Sequence, residues 1–295
     1  MAETPRIGVI ANPEKPGAGE LLLDLVNQFR GGGLNVLLEE RTAALVNLPG
    51  GVPLDQLNDE IDLLVVLGGD GTILWVLRQM KDRIKPIAAI NTGTLGFLTC
   101  ATAQESGHLV AALLSGNYTT SERLLIAGDL ERNGRIEASF VALNEVTLCR
   151  AVASRVIHVE ARINDKLANR YTGDGLILST PTGSTAYSLS AGGPLVQPDA
   201  NVFVVTPICP HSLANRPLVV DASNRIIFES PKQRDELSLL VDGQLVAVIS
   251  ETVRIHLRRA DFNLPLVSMT NQDFYDVLHQ KMGWTGTSIG GEGKG

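Results

Sequence analysis

Asp62-Leu-Leu-Val-Val-Leu-Gly-Gly-Asp-Gly-Thr72 is the stretch whose reading decides the fold. Leu63 to Leu67 form an unbroken apolar run, too short for a helix and closed by glycines. Such a run reads as a strand buried on both faces, as in parallel sheets. Gly68-Gly69-Asp70-Gly71-Thr72 ends it, and Ile73-Leu74-Trp75-Val76-Leu77 resumes an apolar pattern that opens a helix. A strand, a glycine turn and a helix start put a small polar site at the carboxyl end of a sheet, where open α/β sheets bind ligands. Gly68, Gly69 and Gly71 let backbone N–H groups approach an anion, and Asp70 leaves one carboxylate at the centre. The same residues also fit a plain turn in which Asp70 only caps the helix.

Outward from this loop, strands and helices alternate over the first hundred residues. Arg6–Asn12 reads as a buried strand, residues 19–30 as a helix stopped by Gly31-Gly32-Gly33, and Asn35–Glu39 as a second strand. Residues 42–60 are weakly patterned. Pro86–Asn91 is a further strand, closing on Asn91-Thr-Gly-Thr-Leu-Gly-Phe-Leu98. This order predicts a doubly wound parallel sheet. After a helix at 103–115 the pattern changes. Arg123–Glu131, Asn133-Gly134 and Arg135–Leu143 predict a hairpin with an Asn-Gly turn. Short strand-like runs follow to Leu257, with little room for helices. The expected class is therefore α/β plus all-β. An N-terminal domain would comprise residues 1–100 plus 269–295, and a β-rich domain residues 101–268. Asn271–Met282 returns to helical spacing and is expected to pack on the first domain, and Gly286–Gly295 is expected to lack order.

The 295-residue chain is 44% hydrophobic and 19% charged, enough for a sizeable core. A net charge of -7 without a Lys/Arg cluster argues against a nucleic-acid binder. No apolar run approaches a membrane span, and residues 1–6 do not read as a secretory signal. Cys100, Cys149 and Cys209 are far apart and have no metal-type spacing, so reduced thiols and a cytoplasmic location are expected. The five histidines show no zinc-like pairing, and no metal-ligating residue is assigned.

A second polar stretch covers Thr172–Pro194. Small hydroxyl and glycine residues surround a short strand, Leu176–Leu178, and no Lys or Arg occurs between Arg170 and Arg216. A nucleotide bound here would be held by backbone amides, hydroxyls and Asp174. Asp174 also fits a simple Asp-Gly turn. Asn144-Glu145, after the run Phe140–Leu143, pairs an amide with a carboxylate, both able to bond a ribose or base.

Together, Gly68–Thr72, Asn91–Thr99, Asn144–Leu148, Gly173–Pro194 and Thr206–Val219 resemble bacterial NAD kinases in the same order, from about residue 6 to 284. The first motif is shared with diacylglycerol and sphingosine kinases and phosphofructokinases; Gly173–Pro194 is specific. The resemblance implies transfer of a phosphoryl group from ATP, or polyphosphate, to the 2′-hydroxyl of the adenosine ribose of NAD. It implies an α/β domain, a β-sandwich-like domain and a last helix returning to the first. It further implies a homodimer or homotetramer and a divalent cation, Mg above all.

By motif, Asp70 matches the proton acceptor and Gly71 lines the site beside it. Asn144, Glu145, Asp174 and Thr185-Ala186-Tyr187-Ser188-Leu189-Ser190 match the NAD-binding residues. Gln244, in Val-Asp-Gly-Gln, matches a further polar contact; Arg155 and Thr172 fall at positions outside the strict motifs. His211 reads as structural. Gly68, Gly69, Gly71 and Thr72 are expected to hold the donor's phosphates. The chain lacks the Gly-x-x-x-x-Gly-Lys-[Ser/Thr] loop and a Gly-x-Gly-x-x-Gly after the first strand, so NAD is not expected in the dehydrogenase manner. A diacylglycerol-type lipid kinase and a non-catalytic NAD(P)-binding regulator are the alternative readings.

Overall fold

The computed structural model describes residues 5–93, 96–151, 156–212, 214–231, 236–269 and 273–283. Leu63–Leu67 is a strand buried at every position, and it pairs in parallel with Arg6–Ala11 on one side and Ile87–Asn91 on the other. Asn35–Leu38 lies beyond Arg6–Ala11, also parallel. Helix Ala18–Gly31 turns Leu22, Leu25, Val26 and Phe29 onto one face of this sheet, alongside helix Ser106–Ser115. Helix Asp70–Met80 covers the other face with Ile73, Val76 and Leu77. The sheet is thus wound on both faces, and all-apolar central strands follow from that double cover.

Three strands extend this sheet beyond the boundaries expected at residues 101 and 268, the first of them the two-residue Ala101–Thr102, parallel to Ile87–Asn91. Leu264–Ser268 joins Ile87–Asn91 in parallel, and Thr119–Arg123 pairs antiparallel with Leu264–Ser268 as an edge. Both are short and read like the strands around them in sequence, so their period does not tell which sheet they enter. Residues 42–60, weakly patterned, hold the end of a short helix, Glu40–Leu45, and another, Leu54–Glu60.

From Ile126 to Arg259 the chain forms two six-stranded antiparallel sheets. Ile126, Leu130 and Phe228 of one interleave with Val146, Leu178 and Phe203 of the other in a single core, giving a β-sandwich. Ile126–Arg132 and Arg135–Ala142 form the expected hairpin. Asn133 and Gly134 both take positive φ, as a type I′ turn requires.

Leu125, Leu143 and Ala260 belong to the same buried cluster as Ile73, Val76 and Leu77. The Asp70 helix therefore sits between the parallel sheet and the sandwich. Helix Phe274–Met282, capped by a reciprocal Asp273–Asp276 pair, returns to the first sheet. Phe274 and Val277 line a small cavity with Phe97, Cys100 and Leu266, and Leu278 is buried. Residues 271–272 and 286–295, also assigned from sequence, lie outside the described residues. No described helix is long and apolar enough to cross a membrane.

Candidate active site

The glycine turn delivers Asp70 to the start of its helix as the first helical residue, with Gly69 in the capping position. Its carboxylate reaches across to the chain after Ile87–Asn91, where Oδ1 accepts from the Leu98 N–H at 3.3 Å. The Phe97 N–H also bonds the carboxylate. The Asp70 side chain makes no capping bond in its own helix. A Cβ on Gly96 would fall against Asp70 Oδ1, so the glycine makes room for the carboxylate. Thr72 folds its side chain onto Gly68, where a Cβ would meet Thr72 Oγ1, while Gly71 is exposed and open on its Cα. Burial holds the Asp70 carboxyl above its ordinary range; the two amides and the Lys281 ammonium of the last helix pull the other way.

Asn144 and Glu145 form a tight turn between two strands of the sandwich, held by a residue that sequence reasoning missed. Asp242 Oδ1 accepts from the N–H groups of Asn144 at 2.7 Å and Glu145 at 3.1 Å, and Oδ2 from that of Leu143 at 2.9 Å. The Asp242 N–H returns a bond to the Glu145 carbonyl at 3.0 Å. Asp242 and Gly243, both at positive φ, make the two-residue turn between Leu237–Val241 and Gln244–Ile249. The Val-Asp-Gly-Gln motif signals that turn. Nothing in it signals three bonds to a segment nearly a hundred residues away.

The polar stretch Thr180–Ser190 closes on the same turn. The Thr180 N–H donates to the Asn144 carbonyl at 2.9 Å and Thr180 Oγ1 to the Leu143 carbonyl at 2.5 Å. Gly183 lies so near the Asn144 carbonyl that no side chain fits there. The Tyr187 N–H bonds the Glu145 carboxyl. Glu145 is 6% exposed, yet its Oε2 has no hydrogen-bond partner among the described residues. A buried carboxylate oxygen without a partner is costly and points to a ligand donor. Burial, then the Asp242 charge, pushes the Glu145 carboxyl up to about 7, against the Tyr187 amide.

The remaining sequence candidates divide. Asn144 and Glu145 form the turn and Tyr187 bonds Glu145, while Thr185 Oγ1 donates to the Thr182 carbonyl at 3.1 Å and the Ala186 N–H to the Gly183 carbonyl at 2.9 Å. Ser188 is buried and bonds Thr206 Oγ1 at 2.9 Å, so its hydroxyl is spent inside the domain. Leu189 and Ser190 complete the same four-residue helix as Tyr187. Asp174 stands at the other end of strand Gly175–Ser179, in an ion pair with Arg150 at 3.0 Å. Thr172 Oγ1 meets His158 Nδ1 at 2.9 Å, and the Thr172 carbonyl accepts from the His211 N–H, a structural use of that segment. Gln244 is exposed and lines a cavity of about 820 Å³ between the end of the Asp70 helix and the sandwich. Arg155 lies outside the described residues, as do Thr94 and Leu95 of the second motif, Asn91–Thr99.

Arg78, also missed, lines this cavity and a second one, of about 380 Å³, that reaches Gly71 and Thr72. No group of three His, Cys, Asp or Glu suited to a metal ion occurs among the described residues. A cation at this loop would find one protein carboxylate, Asp70, within Gly68–Thr72.

Residues 52–118 match the model of the ATP-NAD kinase N-terminal domain and residues 143–269 that of the ATP-NAD kinase C-terminal domain. An NAD kinase of Syntrophotalea carbinolica is 37% identical over 285 residues, covering 95% of this chain and 98% of its own. One of Wolinella succinogenes is 36% identical over 284 residues, covering 96% and 97%. Among solved structures, yeast NADH kinase complexed with NADH superposes with a TM-score of 0.88 at 26% identity, covering 99% of this chain and 91% of its own. An NAD kinase from Archaeoglobus fulgidus in complex with ATP does so with a TM-score of 0.73 at 26% identity, covering 95% and 100%.

Proposed function

The chain belongs to the NAD kinase family, a phosphotransferase that uses ATP, and from that premise we propose that Asp70 orients and deprotonates the 2′-hydroxyl of the adenosine ribose of NAD. The observation that carries this role is the placement of the Asp70 carboxylate. It is turned away from its own helix, held by the Leu98 N–H and given room by Gly96. Phosphoryl transfer passes through a loose transition state, so positioning and charge neutralisation dominate. A ribose hydroxyl is a poor nucleophile at neutral pH. A carboxylate within hydrogen-bond reach aligns it and takes its proton as the bond to phosphorus forms, a contribution of roughly 100- to 10,000-fold. The raised Asp70 carboxyl is a better proton acceptor than an ordinary one.

In this reading Glu145 accepts from a hydroxyl or amine of NAD through its unpartnered Oε2, and Asn144 and Tyr187 flank it. Asp174, Thr185 and Gln244 are outer contacts. Gly68, Gly69, Gly71 and Thr72 take the donor's phosphates at the helix start. A magnesium ion on those phosphates would neutralise developing charge, with Asp70 as its protein neighbour. The proposal extends to a homodimer or homotetramer, supported by Leu245, Val246 and Val248, exposed on the edge strand Gln244–Ile249. It extends to a cytoplasmic location, supported by three unpaired cysteines.

The test is a purified protein incubated with NAD, ATP and Mg, with NADP read through a coupled dehydrogenase. NADP formation by the unaltered chain and its loss in Asp70→Asn are expected; equal turnover in the two would remove Asp70 from the reaction. The lipid-kinase reading loses its ground, because both domain models and the full-length relatives are of the NAD kinase family.

A further inference from the structure

We propose that the last helix, Phe274–Met282, belongs to the transfer site: it seats the Phe97–Leu98 segment against the Asp70 carboxylate, and Lys281 is a positioning residue for that carboxylate. This rests on the phosphotransferase reading and adds to it a helix from the far end of the chain.

Phe274, Val277, Leu278, Lys281 and Met282 recur at i, i+3, i+4, i+7 and i+8, so they share one face of the helix. Four of them are apolar; Leu278 is buried and the other three are half-buried. Tyr275, Asp276, His279 and Gln280, on the remaining faces, are exposed. Lys281 alone interrupts the apolar stripe. A lysine in such a place can lay its stem along apolar surface and carry its ammonium beyond it.

Under this face runs the segment that supplies both amides to Asp70. Phe274 and Val277 line a cavity of about 80 Å³ together with Phe97 and Leu98. The Leu98 N–H donates to Asp70 Oδ1 at 3.3 Å, and the Phe97 N–H bonds the same carboxylate. The Gly96 N–H donates to Thr99 Oγ1 at 2.7 Å, which ties the two ends of the segment together. Packing of Phe274 and Val277 on this tied unit therefore sets where the two donors stand.

The charge of Lys281 reaches Asp70 from the same helix. Its place is fixed because both helix ends are defined. Asp273 Oδ1 accepts from the Asp276 N–H at 2.9 Å, and Asp276 Oδ2 from the Asp273 N–H at 3.2 Å. Gly283, at positive φ, ends the helix just after Met282. Two amides and an ammonium thus act on one carboxylate and limit its rotation. A reacting group misplaced by about 1 Å can cost on the order of 100-fold in rate, so the seat of Asp70 governs the transfer.

A lysine in a last helical turn also answers the helix dipole, and one experiment separates the two roles. Gln280→Lys combined with Lys281→Gln keeps composition, net charge and the cation of the last turn, and moves the ammonium about 100° round the helix. Both residues are exposed, so the fold is kept. Steady-state kinetics, NAD calorimetry and urea unfolding are followed for this exchange and for Lys281→Arg. The exchange is expected to lower kcat about 10- to 100-fold, with NAD affinity, the KM for ATP and the urea midpoint little changed. Lys281→Arg should retain most of kcat. In an Asp70→Asn background the exchange should cost far less, because both act through one group. An unchanged kcat overturns the proposal and leaves Lys281 to the dipole. So does full additivity with Asp70→Asn, and so does a change confined to the KM for ATP, which would make Lys281 a donor contact. An unaltered chain that makes no NADP refutes the phosphotransferase reading itself, and the proposal falls with it.

Discussion

Asp70 and Asp242 each precede a glycine, and each accepts hydrogen bonds from backbone amides of a distant segment. Asp70 takes its bonds from the Phe97–Leu98 chain at the edge of a cleft and stays partly exposed. Asp242 is 7% exposed, and both its oxygens are consumed by Leu143, Asn144 and Glu145. One carboxylate is presented and the other is absorbed. The two places share an Asp-Gly pair, and that pair alone does not set them apart; the difference arises from what tertiary packing brings to each. A carboxylate with spare acceptor capacity at a cleft can act on a ligand. One with three donors shapes the loop that does.

The sharpest way to break this contrast is Asp70→Asn. We expect NADP formation to fall by roughly 100- to 10,000-fold, with NAD binding retained and the unfolding midpoint in urea not lowered, since Asp70 caps nothing in its own helix. A loss of stability as large as that of an Asp242 variant would erase the distinction.

Gly96→Ala tests the room around the presented carboxylate. The added Cβ would press on Asp70 Oδ1. A displacement of about 1 Å at a reacting group can cost on the order of 100-fold, so kcat is expected to fall by about that factor with little change in the KM for NAD. In an Asp70→Asn background the same substitution should cost far less, because the two act through one group. Full additivity would mean that Gly96 acts elsewhere.

Asp242→Asn addresses the absorbed carboxylate. Asparagine tolerates the positive φ at this position, which isolates the hydrogen bonds from backbone strain. An amide cannot accept from three N–H groups as a carboxylate does, and the expected loss is about 3 kcal/mol of stability. Weaker NAD binding should accompany it, as the Asn144–Glu145 turn loosens. Urea unfolding and NAD titration on the same preparation read both.

How far the sequence discloses the molecule follows the same divide. Strand Leu63–Leu67, its glycine turn and the Asn133-Gly134 hairpin are local, and periodicity with turn chemistry discloses them. The sheet to which Leu264–Ser268 belongs is not local. That strand meets Ile87–Asn91 through the single register pair Leu266–Ile87, and its own five residues would suit either sheet. Asp70 is legible because glycines surround it. Asp242 and Arg78 are not, because a turn aspartate and a helix arginine look the same whether they face water or a site. Ser188 shows the same limit: a serine in a hydroxyl-rich stretch reads as a ligand contact, and no local signal tells that its hydroxyl turns inward to Thr206.

Glu145 stands between the two aspartates, buried like Asp242 but with one oxygen unspent like a ligand-binding group, and its titration gives the smallest and most specific test. Its carboxyl lies at about 7 in the folded chain against 4.5 as the ordinary value. The folded state therefore holds this proton more tightly than the unfolded state. Between those two values folding takes up a proton, so the group's contribution falls as pH rises through the window and is constant above it. The deficit above pH 7 is of order 2 kcal/mol, since each pH step across the window is worth about 1.4 kcal/mol and relaxation offsets part of it. Glu145→Gln removes the ionisable group and keeps the shape. Thermal unfolding of the two proteins should coincide at pH 4 and separate by pH 8, with the variant the more stable. The same variant should bind NAD more weakly at pH 8, where the carboxylate is the better acceptor. Parallel stability curves across that range would mean that Glu145 is ionised throughout and already has a partner. It would then belong with Asp242 among the absorbed carboxylates.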